Sequence, residues 1–560
     1  MRLATLLFFS FSFFVSRSQT VYPKGYFRYP LDIAPKLNAN FGEMRPNHFH
    51  MGLDLSTERR ENLPIYSAAD GYIARIKIEP GGFGNAIYIN HPNGFTTLYA
   101  HMNDFMPELQ AFLKQIQYAR ESWDTDTTFI STRFPVKKGQ FIGYSGNTGG
   151  SQGPHVHFEI RETNNEKCVN PLLFGFNIPD NVAPDLRLLA VYDRNQSIYE
   201  QYPQQFSLKK VAGFYQPSGV ITVSSDRFFI ALQATDRMSG VPNANGIYSI
   251  KVFENEVERG GFAIEKVGYE ETRYLNAHID YRIKTAGGPY LQQTFPLPGD
   301  KLGIYYNDQH EILLTDTLVH QFRLEVRDAY GNLSEAMFRI KRSSIPKNVL
   351  PKTGQLMKAN EMNIFENDQV QLVIPEKGLY DSIYFRYGTS PSTAQLAYSV
   401  TQQLHQPSTP NQEYFTLRLK ADKSIPYHLR DKLIVLRQYG SSQSVAKAFW
   451  ELGWYRSKFR DFGNFQLVAD DLPPLITTPG LVEGANLSKA TRIVVGVKDN
   501  YNMINSFRAE LDGKWLMFSQ RGNTFTYKFD EYCGSGSHEL KISVRDEAGN
   551  LSEKIIHFTR

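Results

Sequence analysis

Two short motifs combine residue types that can bind a metal ion. His155-Val-His157 follows the glycine-rich run at residues 146–154, and His50 lies four positions before Asp54. In an extended chain, side chains two or four positions apart point to the same side. Each pair could therefore face one cleft. Two imidazoles and one carboxylate, with a fourth position left to water, make a catalytic zinc site.

A fifth candidate, His101, lies between these two motifs. Six of the 13 histidines fall between residues 48 and 157, which is a local excess. Two histidines that do not bind the metal would be free to transfer protons, because histidine titrates near neutral pH. The combination predicts a hydrolase.

The segments around these residues follow a recognisable order over about residues 40–173. They are residues 41–45 (FGEMR), 50–54 (HMGLD), 69–72 (ADGY), 88–91 (YINH), 97–101 (TLYAH), 136–143 (VKKGQFIG) and 146–159. An isolated HxH or HxxxD would be weak evidence. Together, and in this order, they resemble peptidase family M23, the lysostaphin-like or LytM-like zinc endopeptidases.

The resemblance implies a role for each of the five residues. His50, Asp54 and His157 would bind Zn²⁺, while His101 and His155 would take the two catalytic positions that do not bind the metal. Which of those two acts as the base stays open. The family implies an endopeptidase whose substrate partners are the stem peptides of bacterial peptidoglycan. The alternative is a silent scaffold or an activator of other cell-wall hydrolases that acts through its β-sandwich domains, although none of the five residues is missing.

Neighbouring polar residues have simpler explanations. We expect His48 and His91 to lie on the surface or to form structural hydrogen bonds. Glu159 could orient His157 from outside the metal site, or it could form a salt bridge on its strand, which is the reading we prefer. The loop at residues 146–153 has no following helix or lysine, so we expect it to shape the cleft rather than to bind phosphate.

The N-terminus predicts export. Arg2 precedes an apolar stretch at residues 3–15 that is too short to span a bilayer, so a signal peptide (residues 1–18) cut after Ser18 is expected. A buried strand or an uncleaved anchor is the alternative. We expect the mature chain in the periplasm, the cell envelope or the medium, with no transmembrane segment. The net charge of +4 does not favour nucleic acid as a partner.

Composition and pattern predict a mainly β fold with several domains. Aromatic residues reach 13%, which favours strands. An antiparallel M23-type catalytic domain is expected at residues 19–178. Its insert at residues 107–133 has helical periodicity from Pro107 to about Trp123. That helix could form a lid over the cleft or pack on the outside of the sheet.

The remaining chain is repetitive. Val326–Glu335 recurs as Val544–Glu553, each a strand followed by a tight Asp-x-x-Gly-Asn turn. The repeats resemble bacterial immunoglobulin-like β-sandwich modules, which we place at residues 181–343 and 471–560. A β-domain of less certain type is expected between them, at residues 344–470, so two or three such sandwich domains follow the catalytic one. They would serve as spacers or as docking sites for an envelope protein, and a sandwich or the insert could hold the enzyme shut until a partner moves it.

The two cysteines, Cys168 and Cys533, lie at the edges of different expected domains. Export would permit a disulfide, but two unpaired thiols are the preferred expectation. Neither is needed as a zinc ligand.

Overall fold

The computed structural model describes residues 21–306, 309–345, 352–392 and 394–560. The expected signal peptide at residues 1–18 lies outside these ranges. The described residues form mostly antiparallel β-sheets, which confirms the mainly β fold class. Within them, no helix has both the length and the apolar character needed to cross a membrane.

The first region contains the candidate metal-binding residues. Its elements are β1 (Leu37–Ala39), β2 (Met44–Arg45), β3 (His48–Phe49), β4 (Leu53–Ser56), β5 (Pro64–Tyr66), β6 (Gly71–Ile78), β7 (Asn85–Asn90), β8 (Phe95–Ala100), β9 (Asp104–Phe105), α1 (Pro107–Arg120), β10 (Thr125–Thr128), β11 (Pro135–Val136), β12 (Phe141–Tyr144), β13 (His155–Glu162) and β14 (Cys168–Val169). The main sheet runs in the order β1-β4-β13-β8-β7-β6-β10, and β5-β12-β9 form a smaller sheet. Strand β13 therefore lies in the sheet interior, between β4 and β8.

Helix α1 forms because its apolar residues recur at helical spacing. Leu109, Leu113 and Gln117 are buried four residues apart, and Pro107 occupies the first turn, where its missing N–H costs nothing. The expected helix is present, but it ends at Arg120 because Glu121 adopts a left-handed backbone conformation. Leu109 and Leu113 belong to the core of the first region. The buried side of the helix thus packs against that region.

The rest of the chain forms three further β-regions. The second comprises β15 (Asp185–Asp193), β16 (Gln204–Ser207), β17 (Lys209–Val211), β18 (Phe214–Gln216), β19 (Val220–Val223), β20 (Arg227–Thr235), β21 (Ser249–Glu254), β22 (Val257–Ala263), β23 (Lys266–Val267), α2 (Leu275–His278), α3 (Tyr281–Thr285), β24 (Gln292–Gln293), β25 (Ile312–Leu313), β26 (Val319–Arg327) and β27 (Leu333–Arg342). The third comprises β28 (Gln355–Met357), β29 (Asn363–Glu366), β30 (Val370–Ile374), β31 (Ile383–Phe385), β32 (Tyr387–Ser390), β33 (Thr401–Leu404), β34 (Phe415–Leu419), β35 (Leu433–Tyr439), β36 (Ser442–Lys447), β37 (Phe449–Glu451), β38 (Trp454–Phe459) and β39 (Gly463–Ala469). The fourth comprises β40 (Leu475–Thr477), β41 (Ala485–Asn486), β42 (Arg492–Lys498), β43 (Ile504–Leu511), β44 (Lys514–Trp515), β45 (Ser519–Arg521), β46 (Thr524–Lys528), β47 (Ser537–Asp546) and β48 (Leu551–Thr559).

The fourth region shows how these strands form a sandwich. One sheet runs β40-β42-β46-β45 and the other runs β41-β48-β47-β43-β44. Alternate residues of both sheets, such as Val495 on β42 and Ile542 on β47, are buried in one hydrophobic core. This is the layer arrangement of a two-sheet β-sandwich.

The second region packs closely on the first. Its strand β23 pairs with β14 and so extends the main sheet of the first region. Phe49 and Met51, on either side of His50, are buried in a core that belongs mainly to the second and third regions. Hydrophobic burial between regions therefore anchors the chain segment that contains His50.

The fourth region folds back onto helix α1. The ring of Tyr118 stacks on Tyr532 with centroids 3.5 Å apart. Lys114 Nζ lies 2.7 Å from Asp530 Oδ2, and Arg508 Nη1 lies 2.8 Å from Glu121 Oε2. The outward side of the helix is therefore an interface with the last sandwich.

Candidate metal centre

The pairing of β4, β13 and β8 brings the key side chains together. His157 on β13 is directly opposite Asp54 on β4 and Ala100 on β8. Directly opposed residues in antiparallel strands project to the same face, so His157 and Asp54 share one side of the sheet. His101 follows at the end of β8. Sheet register, rather than a local motif, thus joins residues about one hundred positions apart.

The segment from His50 to Asp54 requires glycine at its centre. A Cβ on Gly52 would lie 2.4 Å from the backbone oxygen of Phe158 and 3.0 Å from His157 Nε2. A side chain at position 52 would therefore push β4 away from β13. The spacing of the motif and the packing of the two strands are linked in this way.

Three candidate ligand atoms converge. His50 Nε2 lies 2.9 Å from Asp54 Oδ1 and 3.0 Å from His157 Nδ1, and His157 Nδ1 lies 3.0 Å from Asp54 Oδ1. All three residues are buried. They form the histidine and aspartate cluster that the sequence suggested, with all ligand atoms within 4.8 Å of one another.

His101 and His155 lie beside this cluster, with ring centroids 4.7 Å apart. His101 Nδ1 donates to the backbone oxygen of Thr148 (2.9 Å), and His155 Nδ1 donates to that of Gly153 (2.8 Å). These bonds fix the protonated nitrogen, so each neutral ring keeps Nε2 as its acceptor. His155 Nε2 is 3.3 Å from Asp54 Oδ1. The loop at residues 146–153 therefore orients both histidines.

The backbone of His101 is unusual. Its φ angle is 62°, in the left-handed region that non-glycine residues seldom occupy. Such backbone conformations cluster at functional sites. Strand β8 ends at this backbone conformation, which directs the His101 ring toward His155 and His157.

Hydrogen bonds at the ring nitrogens that face away from the cluster fix its two histidines. His50 Nδ1 donates to the backbone oxygen of Asn40 (2.8 Å), and His157 Nε2 donates to Glu159 Oε1 (2.8 Å). Glu159 also accepts from Arg161 Nε (2.7 Å), so it both orients His157 and forms a salt bridge. Such outer contacts are typical of histidines that bind metals.

The sequence of this region matches a known family. Residues 48–118 and 124–171 match the model of peptidase family M23. Over these residues the first region is similar to the M23 peptidases. Residues 354–470, which include every strand of the third region, match the Zu5-like domain instead. The first region is called the M23 domain below.

The relatives of the M23 domain include peptidoglycan enzymes. The DD-carboxypeptidase/endopeptidase Mpg of Neisseria meningitidis is 32% identical over 141 residues, which are 25% of this chain and 26% of the relative. Peptidoglycan DD-endopeptidase ShyA of Vibrio cholerae is 28% identical over 139 residues, covering 24% and 26%. A zinc-containing peptidase of known structure from Vibrio cholerae is 25% identical and covers 28% of this chain and 41% of its own, with a TM-score of 0.20. The chain spans about a quarter of the length of the curated relatives that it matches.

Electrostatics in the M23 domain favour an ionised Asp54. Burial alone would raise the pKa of this carboxyl group, but a proton on His50 and hydrogen bonds from His155 and His157, when those rings carry a proton toward it, hold the pKa well below its usual range. Arg45 adds a salt bridge of 2.7 Å between its Nη2 and Asp54 Oδ2. A buried carboxylate kept charged is suited to a cation.

His101 is kept neutral. Burial, followed by the neighbouring rings of His157 and His155, lowers its pKa to about 3. A neutral imidazole keeps the lone pair of Nε2 available to accept a hydrogen bond from water.

Three residues that contribute to the M23 site were not among the candidates predicted from the sequence. Arg45 belongs to the FGEMR run, so its position in the family segment was a usable signal. Tyr269 of the second region donates to Glu159 Oε1 (2.5 Å), and Arg521 of the fourth region donates to the backbone oxygen of Ser151 (3.2 Å). Nothing near either residue in the sequence indicates these contacts.

The other polar residues singled out have structural contacts. His48 is exposed and bonds the backbone oxygen of Pro46, whereas His91 is buried and bonds Thr97 Oγ1 and the backbone oxygen of Asp70. Cys168 and Cys533 are buried free thiols.

Proposed function

We propose that this chain is an exported zinc metallopeptidase that hydrolyses peptide cross-links of bacterial peptidoglycan. The observation that carries the proposal is the convergence of His50 Nε2, Asp54 Oδ1 and His157 Nδ1. Two nitrogens and one carboxylate oxygen from three residues are the ligand set of catalytic zinc sites. The M23 match and the peptidoglycan enzymes among the relatives support the class of reaction.

The hydrogen bonds of the two imidazoles fit a cation. Because His50 donates through Nδ1 and His157 donates through Nε2, each neutral ring presents a lone pair on its other nitrogen. Those two lone pairs face each other and the Asp54 carboxylate at about 3 Å. These three electron-rich atoms repel one another unless a proton or a metal cation lies between them. Burial alone would lower the pKa of His157, but hydrogen bonds to Asp54 and Glu159 raise it to about 9, and a zinc ion would take the place of that proton. His50, Asp54 and His157 would hold zinc for this reason.

When bound, zinc polarises a peptide carbonyl group and lowers the pKa of water to about 7. His101 and His155 supply the proton transfers. Their Nε2 atoms are the free acceptors, since Nδ1 of each ring is committed to a backbone oxygen. One ring can take a proton from water at Nε2, and this same proton can then pass to the leaving amine, directly or through the other ring.

The substrate is inferred from the relatives. Two of them are named as peptidoglycan DD-endopeptidases or carboxypeptidase/endopeptidases. We infer a directly cross-linked stem peptide as the target. The expected export signal at residues 1–18 would bring the chain to the compartment that contains this polymer.

The test combines metal content with cleavage. Purified full-length chain is incubated with purified cell-wall sacculi, with and without chelator, and the newly released chain ends are identified. We expect one zinc ion per chain, release of peptide ends, and loss of both zinc and release in His50→Ala. His48→Ala is the matched control, because His48 lies two residues away and its ring bonds the backbone oxygen of Pro46 instead of the cluster.

A silent scaffold predicts a different outcome. A zinc-loaded wild-type chain that releases no ends, or a release that a chelator does not affect, would contradict the peptidase. An inactive chain that stimulates another cell-wall hydrolase would support the scaffold.

A further inference from the structure

Three aspartates meet where the M23 domain joins the second region. Asp180 lies in the linker, Asp236 directly follows β20, and Asp328 directly follows β26. Their ligand oxygens all lie within 4.8 Å of one another. Asp236 and Asp328 are buried, with 2% and 3% of their surfaces exposed, and Asp180 is half-buried. Burying several carboxylates together is unfavourable unless a cation or protons offset their charge.

The hydrogen bonds of this cluster leave oxygens unused. Asp328 Oδ1 accepts from the backbone nitrogens of Tyr330 and Asn332, and its Oδ2 accepts from Asn332 Nδ2. In contrast, Asp180 Oδ2 and Asp236 Oδ1 are buried without a hydrogen-bond partner. Buried polar atoms without a partner are rare in folded proteins. One carboxylate is thus fixed in place while two others present free oxygens.

A neutral side chain gives an independent indication. Asn245 is 3% exposed, and neither its Oδ1 nor its Nδ2 has a partner. It pairs with Asp236 across an antiparallel bridge, so both side chains project to the same face, with Cβ atoms about 4.5–5.5 Å apart. The structure therefore places a buried, unbonded amide group beside the free Asp236 carboxylate. Carboxylate and amide oxygens are typical calcium ligands.

The pKa of Asp236 is shifted in the direction expected of clustered, buried carboxyl groups. Burial, together with the charges of Asp328 and Asp180, raises the pKa of Asp236 to about 7. Without a cation, this carboxyl group therefore binds a proton far more readily than an ordinary aspartate does.

The same arrangement recurs in the fourth region. The ligand oxygens of three further aspartates, Asp470, Asp499 and Asp546, also lie within 4.8 Å of one another. Asp470 lies in a linker, Asp499 follows a strand, and Asp546 begins an Asp-x-x-Gly-Asn turn. Asn550 Nδ2 donates to Asp546 Oδ2 (2.8 Å), as Asn332 does to Asp328. As in the first copy, two of the three aspartates are buried and one, Asp499, is half-buried. Its presence shows that the three-aspartate geometry belongs to the repeated unit rather than to one chance contact.

We propose that Asp180, Asp236 and Asp328, with the amide oxygen of Asn245, bind a calcium ion at the joint between the M23 domain and the second region. The ligands are all hard oxygen atoms, which suit calcium rather than zinc. Asp180 belongs to the linker, whereas the other three residues belong to the sandwich. A bound ion would therefore fix the direction in which the sandwich leaves the M23 domain.

The proposal is tested by calcium binding to the full-length chain. After treatment with EGTA and its removal, equilibrium dialysis against calcium chloride counts saturable ions per chain. Extracellular calcium modules have Kd values of about 10⁻⁴–10⁻³ M, which sets the range to scan. We expect Asp236→Asn to bind one calcium ion fewer than the wild type. Asp185→Asn is the control and should bind as many, because Asp185 lies outside the cluster and pairs with Arg187.

A second variant tests the proposal independently in case Asp236→Asn does not fold. Asp180→Asn keeps the oxygen that accepts from the backbone nitrogen of Val182 but loses the charge. We expect it also to lose the ion or to bind it at least about 10-fold more weakly. The proposal would be overturned if the wild type showed no saturable calcium binding below about 10 mM calcium. This concentration is about ten times the Kd of the weakest extracellular calcium modules. So would Asp236→Asn and Asp180→Asn variants that bind as many ions as the wild type with equal affinity.

Discussion

Tyr269 of the second region donates a hydrogen bond of 2.5 Å to Glu159 of the M23 domain. The same Glu159 oxygen accepts from His157 Nε2. A residue 110 positions away in another region therefore contributes to holding a candidate zinc ligand in its tautomer and orientation. The sandwich next to the M23 domain is part of the support of the site.

Replacing Tyr269 should therefore weaken the metal site. Tyr269→Phe removes the hydroxyl group but keeps the ring that lies against Phe83. We expect zinc affinity or kcat/KM to fall by about 10-fold, the lower end of the range for such outer contacts. Zinc titration against a competing chelator measures the effect. Tyr281→Phe in the same region is the control, and equal affinities in the two variants would refute a role for the hydroxyl group.

Removing His101 should separate proton transfer from metal binding. His101→Ala should lower kcat by about 10²–10⁴-fold, because it removes a general acid or base. It should leave zinc content at one ion per chain, unlike His50→Ala. Peptide-end release from sacculi and zinc content are measured on the same preparations. Loss of zinc in His101→Ala would mean that His101 is a ligand.

Acid should destabilise the interface between the M23 domain and the second region. His278 is fully buried against Phe49, and burial lowers its pKa to about 3 from the ordinary 6.5. Below pH 6.5 the unfolded chain therefore binds a proton at His278 that the folded chain does not bind. The contribution of His278 to the free energy of unfolding is fully present above pH 6.5 and is lost as the pH falls toward 3. The loss from this group is about 2 kcal/mol at pH 5.

A variant isolates this contribution. His278→Gln cannot titrate, so its free energy of unfolding should change by about 2 kcal/mol less between pH 7.5 and pH 5 than that of the wild type. Denaturant unfolding at the two pH values measures the difference. His428→Gln should behave as the wild type does. An identical pH response in His278→Gln would show that His278 is not a buried neutral group.

The contact between helix α1 and the fourth region should restrict access to the site. Arg521 of that region contacts Ser151, and Ser151 Oγ lies 3.2 Å from His155 Nδ1. Tyr118→Ser removes the stacking with Tyr532, a contact worth about 0.5–1.5 kcal/mol. We expect a several-fold higher initial rate on sacculi in this variant. Tyr439→Ser, at an exposed tyrosine of the third region, is the control, and an unchanged rate in Tyr118→Ser would exclude this restriction.

Much of the site could be predicted from the sequence. The period of two in extended chain places His155 with His157 and suggests that His50 and Asp54 face one way. The structure brings all five candidate residues together. The roles of the three ligands and two proton carriers remain predictions, as do the domain boundaries and the immunoglobulin-like character of the sandwiches.

The other features of the site and fold depend on contacts that local sequence patterns do not predict. Tyr269 and Arg521 reach the site from other regions, through packing that only the folded chain defines. The repeats around Asp236, Asp328, Asp499 and Asp546 were visible in the sequence, but not their convergence with the linker aspartates. Helix α1 was placed correctly at its start, whereas its end depends on the left-handed Glu121 rather than on the apolar pattern.

The most direct test of the central claim is anomalous diffraction at the zinc absorption edge from crystals of the full-length chain. We predict one strong peak about 2.0–2.2 Å from His50 Nε2, an Asp54 carboxylate oxygen and His157 Nδ1, with no fourth protein ligand. A zinc-loaded protein without a peak at these atoms, or a peak whose fourth position is filled by a protein side chain, would contradict the account.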